Sequence, residues 1–121
     1  MTILAAVLIA IVALLHAYFL VLEMFLWQKP RGMRAFHLSP ETAKITATLA
    51  ANQGLYNGFL AAGLVWGLVA SDPVGFQVRV FFLACVIIAG LYGAATVQRG
   101  IIFVQALPAA LALAAVLLTR V

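Results

Sequence analysis

The chain has 121 residues and a formal charge of +4, yet only 8% of its residues are charged and 67% are hydrophobic. Soluble domains average roughly a quarter charged and half apolar residues, so this composition excludes a water-soluble catalytic module and points to an integral membrane protein. The few Lys and Arg residues sit beside the apolar runs, where they set orientation, so no nucleic-acid partner is expected.

Four apolar runs, 3–27, 45–70, 80–97 and 101–118, are each near or above the ~18 residues that mark a spanning helix. They predict one all-α domain over 1–121, a polytopic membrane protein built as an antiparallel bundle of four transmembrane helices at about 2–28, 40–70, 75–97 and 100–120. No Lys or Arg precedes the first run, and its length exceeds the apolar core of a signal peptide, so it reads as a retained helix. It holds His16 and Glu23, seven residues and therefore two turns apart on one face. Ionisable groups at membrane depth are costly and mark functional sites by default.

Segment 28–44 carries Lys29, Arg31, Arg34 and Lys44 against a single Glu41. The positive-inside rule therefore predicts that this loop is cytoplasmic and that both termini lie outside the cytoplasm, in a multi-pass cell-membrane protein. Ser39-Pro40-Glu41-Thr42 predicts a helix start, with Ser39 as N-cap and Pro40 at the first helical position.

The second run contains Ala51-Asn52-Gln53-Gly54-Leu55-Tyr56-Asn57-Gly58, which puts three carboxamides and a phenol inside an apolar stretch. Asn52 with Tyr56, and Gln53 with Asn57, are four apart, and polar groups in hydrocarbon must face protein or a water-filled cavity. The four side chains are therefore expected to point inward. Gly54/Gly58 and Gly63/Gly67 predict close helix approach. Ser71-Asp72-Pro73 breaks the helix, and the segment to Arg79 reads as an external turn. Gly90 to Ala95 presents small residues, and the short Gln98-Arg99-Gly100 link predicts an antiparallel hairpin of the last two spans. Gln105 lies inside the fourth run, where Pro108 is expected to kink the helix.

Counted at 1.5 Å per residue, Glu23, Asn52 and Gln105 fall roughly 8–12 Å deep, and His16 and Asn57 roughly 18–20 Å. Depth alone pairs Glu23 with Asn52, and His16 with Tyr56 or Asn57. The candidate ligand-binding residues are thus His16, Glu23, Asn52, Gln53, Tyr56, Asn57 and Gln105. The same amides serve equally well as hydrogen bonds between packed helices, and both readings stay open. Two separate His residues, without HExxH spacing and with a lone Cys85, give no metal framework. No P-loop, dinucleotide fingerprint or nucleophile elbow occurs, so no cofactor is expected.

On His16-x-x-Phe19-x-x-x-Glu23-Met24-Phe25-x-Trp27 followed by Asn52-Gln53-Gly54-x-Tyr56-Asn57-Gly58, the chain resembles, over essentially its whole length, the small bacterial four-helix membrane family catalogued as domain of unknown function 1304. It is also similar, more distantly, to membrane-associated proteins in eicosanoid and glutathione metabolism. There, Gln53-x-x-Tyr56-Asn57 stands where those proteins carry a polar residue, a Glu and an Asn, and Arg99 stands near their fourth-helix Arg. That second resemblance implies four helices and a homo-oligomer, in particular a trimer, and no catalysis is carried over. In size, and in having an acidic residue in the first helix, the chain is also similar to small multidrug transporters.

Three functions follow as expectations. One is binding of a small lipophilic or amphipathic ligand at a polar intramembrane site, with the lipid bilayer as surroundings. The others are proton-coupled transport through Glu23 and His16, and a structural or accessory membrane role. Whether the protein is an enzyme is left open by the sequence.

Overall fold

Prolines and polar turns divide the chain into helices, and the computed structural model describes residues 1–120. The order is α1 (Ile3–Met24), α2 (Pro30–Ala35), α3 (Pro40–Val69), α4 (Val74–Thr96), a π-helical turn (Ile102–Ala106) and α5 (Leu107–Leu118). Among the described residues there is no strand. By length and composition, α1 and α4 are long and apolar enough to cross a membrane, and Ile102–Leu118 is apolar but shorter. At 30 residues α3 has ample length, but the amide stretch in its middle dilutes its apolar character.

The first helix ends at Met24, short of the expected residue 28. Lys29 precedes a proline, whose ring disfavours helical backbone in the residue before it, and Lys29 is extended at φ −91, ψ 160. Pro30 then opens α2, a helix within the segment read from sequence as a loop. His37 adopts the left-handed conformation at φ 55 just beyond it. The Leu38 N–H donates back to the Met33 carbonyl at 2.9 Å, a Schellman-type closure that uses an otherwise orphan carbonyl. Ser39 caps α3 as its sequence pattern requires, with Oγ accepting from the Thr42 N–H at 3.2 Å.

The residues pack as two compact units. One comprises Met1–Leu15 with the described residues from Leu60 onward, and the other comprises His16–Phe59. In the first, Ala5, Ile9, Val12 and Ala13 of α1 face Leu64 of α3, Leu83 and Val86 of α4, and Ala109, Ala112 and Val116 of α5. These residues recur at three- and four-residue steps, the period of a helical stripe. Alanines in the stripe let backbones approach closely. Gly90 goes further, since a Cβ there would lie 2.6 Å from the Ala106 backbone nitrogen.

Around Pro108 the sequence leads to a widened turn rather than a simple kink. Proline lacks the N–H that would bond to Val104, and its ring crowds that carbonyl. The chain adapts with a π turn immediately before it, in which the Leu107 N–H donates to the Ile102 carbonyl five residues back.

The α3–α4 turn is organised by Arg79, which is only 4% exposed. Its Nη1 donates to the Gly67 carbonyl at 2.8 Å and its Nη2 to Asp72 Oδ1 at 2.6 Å. A cation here serves the orphan carbonyls and the negative end of the α3 dipole. Its Nε is buried without a hydrogen-bond partner among the described residues. Gly67 and Gly75 make the approach possible, because a Cβ at Gly67 would lie 2.8 Å from Arg79 Cγ and one at Gly75 would lie 2.2 Å from the Ala70 carbonyl. Arg79, read from sequence as the end of an external turn, is thus the buried clamp of that turn.

The hydrogen bond from Arg79 holds the exposed Asp72 carboxyl below its ordinary value of 3.8. A carboxyl depressed in the folded state contributes stability above its ordinary value and loses it as pH falls through the lowered one. The melting-temperature gap between wild type and Asp72→Asn is therefore expected to be constant near neutrality and to close as pH is taken below 3.8. Parallel melting curves for the two proteins down to that range would contradict the clamp.

Candidate functional site

The second unit brings part of α1 against part of α3 through glycine. A Cβ at Gly54 would lie 2.7 Å from Met24 Cγ, 3.0 Å from Glu23 Cβ and 3.3 Å from the Leu20 carbonyl. One turn on, a Cβ at Gly58 would lie 2.6 Å from Leu20 Cδ1. The Gly54-x-x-x-Gly58 spacing is therefore the groove that seats α1, as small-residue pairs do in membrane helices.

This contact sets the register of the polar side chains. Glu23 and Asn57, 4% and 9% exposed, meet across the two helices, with Asn57 Nδ2 donating to Glu23 Oε1 at 2.5 Å. A buried carboxylate is costly without a donor, and Asn57 supplies one. His16 is fully buried two turns before Glu23 on the same face of α1, and its ring meets Phe19 edge-on at 5.4 Å.

Beyond Glu23 the chain turns under Trp27. Its Nε1 donates to Thr46 Oγ1 at 3.0 Å, and Thr46 Oγ1 donates in turn to the Thr42 carbonyl at 2.7 Å. Its ring lies 4.8 Å from that of Phe36. Arg31 Nη1 donates to the Tyr18 hydroxyl at 3.4 Å, which ties the basic segment back to α1. The result is an open cleft of about 290 Å³ lined by Glu23, Met24, Phe25, Trp27, Gln28, Lys29 and Ala47. The lining mixes apolar Met24, Phe25, Trp27 and Ala47 with polar Glu23, Gln28 and Lys29, and the volume is near the lower end of the range of small-molecule sites.

Of the seven residues expected at a site, the structure brings Glu23 and Asn57 into contact and buries His16. The depth-based pairing of Glu23 with Asn52 is corrected, because Asn57 is the partner. The crossing point at Gly54 and Leu20 fixes the register, and α1 ends earlier than the count assumed. The single inward face is corrected as well: Asn52, Gln53 and Tyr56 are exposed and only Asn57 turns inward. Five residues separate Asn52 from Asn57, about 140° around the helix, too wide an arc for one buried stripe. Gln105 is half-buried in the π turn and belongs to the other unit. Trp27, Gln28 and Lys29 line the cleft, although the sequence places Trp27 only at the end of the first apolar run and Gln28 and Lys29 only in the loop. Their signal was Pro30, which bars helical backbone at Lys29 and so requires the first helix to end before it. Among the described residues no group of three or more His, Cys, Asp or Glu could hold a metal ion.

The fold and site thus define an all-helical chain, with two helices long and apolar enough to cross a membrane, that buries a carboxylate–amide pair whose Glu23 lines a cleft. The family described as Protein of unknown function (DUF1304) matches residues 10–117, which include both members of the pair. The "Uncharacterized protein YpaA" of Lactococcus lactis subsp. lactis (strain IL1403) is 35% identical over 115 residues, covering 93% of this chain and 96% of its own length. The chain belongs to this family. These matches do not extend to the eicosanoid and glutathione proteins, and no solved structure matches the chain.

Removing the Asn57 amide leaves the Glu23 carboxyl without its donor. Interhelical hydrogen bonds in membranes average about 0.6 kcal/mol, and an orphaned buried polar group costs about 1–3 kcal/mol. Asn57→Ala is expected to lower stability by about 1–2 kcal/mol in detergent unfolding, and Glu23→Gln, which keeps an acceptor for the amide, by less than half of that. A loss in Asn57→Ala no larger than that in Glu23→Gln would contradict the cost assigned to the orphaned carboxyl.

Proposed function

We propose that the protein is a multi-pass membrane protein of four spans that binds a small lipophilic or amphipathic ligand in the cleft at Glu23. The membrane reading is supported by α1 and α4, which have spanning length and composition, and by the apolar surface the chain leaves open. Ile3, Ile45, Val69, Val97 and Leu118 are each at least 75% exposed, an arrangement suited to lipid rather than water. The start of α1, the α3–α4 turn and the end of α5 line one small cavity, as an even number of crossings requires. The basic segment with Lys29, Arg31 and Arg34 then faces the cytoplasm, with the two termini on the far side.

One observation carries the ligand reading: Glu23, held by Asn57, lines a cleft in which Met24, Phe25, Trp27 and Ala47 alternate with polar Gln28 and Lys29. A ligand with an apolar body lies against Met24, Phe25 and Trp27 while its polar end reaches Glu23. The protein acts as a homo-oligomer.

The burial of His16 and Glu23 on one face of α1 favours a second reading, in which they are the proton-coupled groups of a small transporter. The two are separated by native mass spectrometry of gently solubilised protein together with flux in proteoliposomes. Ligand binding without transport is expected to show a retained small molecule in the wild type, its loss in Glu23→Gln, and no flux driven by a pH gradient. Flux abolished by Glu23→Gln or His16→Ala would transfer the assignment to transport. Absence of both ligand and flux would leave the amides as packing contacts of an accessory protein.

A further inference from the structure

The exposed side of α3 carries polar groups where a lipid-facing helix has none. Asn52 and Tyr56 lie one turn apart, flanked on the same stripe by Ile45, Leu49 and Phe59, with Gln53 at its edge. Ile45, Leu49, Tyr56 and Phe59 are 80%, 72%, 56% and 57% exposed. None of these side chains turns toward its own chain's core, so the stripe is an outer face and not part of the Glu23 cleft.

Its position along the helix decides what can cover it. Lys44 and Asp72 are the charged residues that bracket the span, about 40 Å apart along the chain at helical rise, with Gly58 midway. Asn52 is then about 9 Å and Tyr56 about 3 Å from the midplane, inside the ~15 Å half-thickness of the hydrocarbon layer. Lipid tails can neither donate to nor accept from a carboxamide or a phenol, and an unsatisfied polar group there costs several kcal/mol. A protein surface with matching groups must lie against this stripe. A carboxamide carries both donor and acceptor, so the same residue on a second copy matches it without any further partner. The flanking Leu49 and Phe59 then pack across the symmetry axis, as an isologous interface demands.

We infer that the Ile45–Leu49–Asn52–Tyr56–Phe59 stripe of α3 is the face on which a second copy of this chain docks, with Asn52 paired across the interface. The inference rests on the membrane reading above and specifies which surface makes the oligomer. It also accounts for why the central polar stretch divides, with Asn57 serving the site within the chain and Asn52 serving the contact between chains.

The test is disulfide trapping in native membranes with the endogenous thiol removed by Cys85→Ala. Single cysteines are placed at Leu49→Cys or Phe59→Cys on the stripe, and at Leu91→Cys on α4, whose side chain is 53% exposed, as the control. Mild oxidation is expected to convert the stripe variants to covalent dimers at least about fivefold more than the control, and adding Asn52→Leu is expected to reverse most of that gain. Dimer no more abundant than in the control, from protein still resistant to alkaline carbonate extraction, would overturn the interface and leave the membrane reading standing. Reaction of Leu49→Cys with a membrane-impermeant maleimide in place of dimer formation would overturn it in favour of a water-filled cavity. Extraction of the chain by carbonate would remove the membrane reading itself, and the interface with it.

Discussion

The carboxyl of Glu23 and the amide of Asn57 constrain everything around them. A carboxylate on an apolar helix is tolerated only where a donor is brought to it, and the donor must arrive on a second helix at a fixed height. Gly54 and Gly58 allow that arrival, because any larger residue would meet Leu20, Glu23 or Met24 before the amide came within reach. The end of α1 at Met24 then places Glu23 in its last turn, and the chain that follows folds Trp27 and Lys29 around the same spot. Local sequence, packing and cleft are in this way consequences of one hydrogen bond and the glycines that permit it.

The same economy governs the other unit. Arg79 is buried, and its cost is offset by two acceptors that the turn already needed to satisfy, the Gly67 carbonyl and the Asp72 carboxylate. Glycine again makes the room, at positions 67 and 75. Where no glycine is available the backbone itself changes, as in the π turn that accommodates Pro108. The Glu23–Asn57 pair, Arg79 and Pro108 are thus each accommodated by a nearby small residue or an altered turn.

Much of this was legible in the sequence because the signals were local. The Ser39 cap, the helix starting at Pro40, the glycine pairs of α3 and the shared inward face of His16 and Glu23 all follow from spacing within a few residues. What was not legible depended on register between helices. Depth along each helix suggested Asn52 for Glu23, but register is set by where side chains permit closest approach, and those points are Gly54 against Met24 and Glu23, and Gly58 against Leu20. Arg79 was hidden for a similar reason. Its partners, Gly67 and Asp72, are twelve and seven residues away and meet it only once the turn has closed. The short α2 helix and the left-handed His37 were also missed, since a six-residue helix has too little periodicity to declare itself.

The most direct test of the account is the distance between the two groups on which it turns, measured in a lipid bilayer. Solid-state NMR recoupling between a 13C-labelled Glu23 carboxyl and a 15N-labelled Asn57 side chain, in the full chain reconstituted into vesicles, reports that distance. The account expects strong dephasing from nuclei in hydrogen-bond contact, lost in Gly54→Val, where the helices are held apart. Absence of dephasing in the wild type, or its persistence in Gly54→Val, would contradict the claim that the glycine groove delivers Asn57 to Glu23.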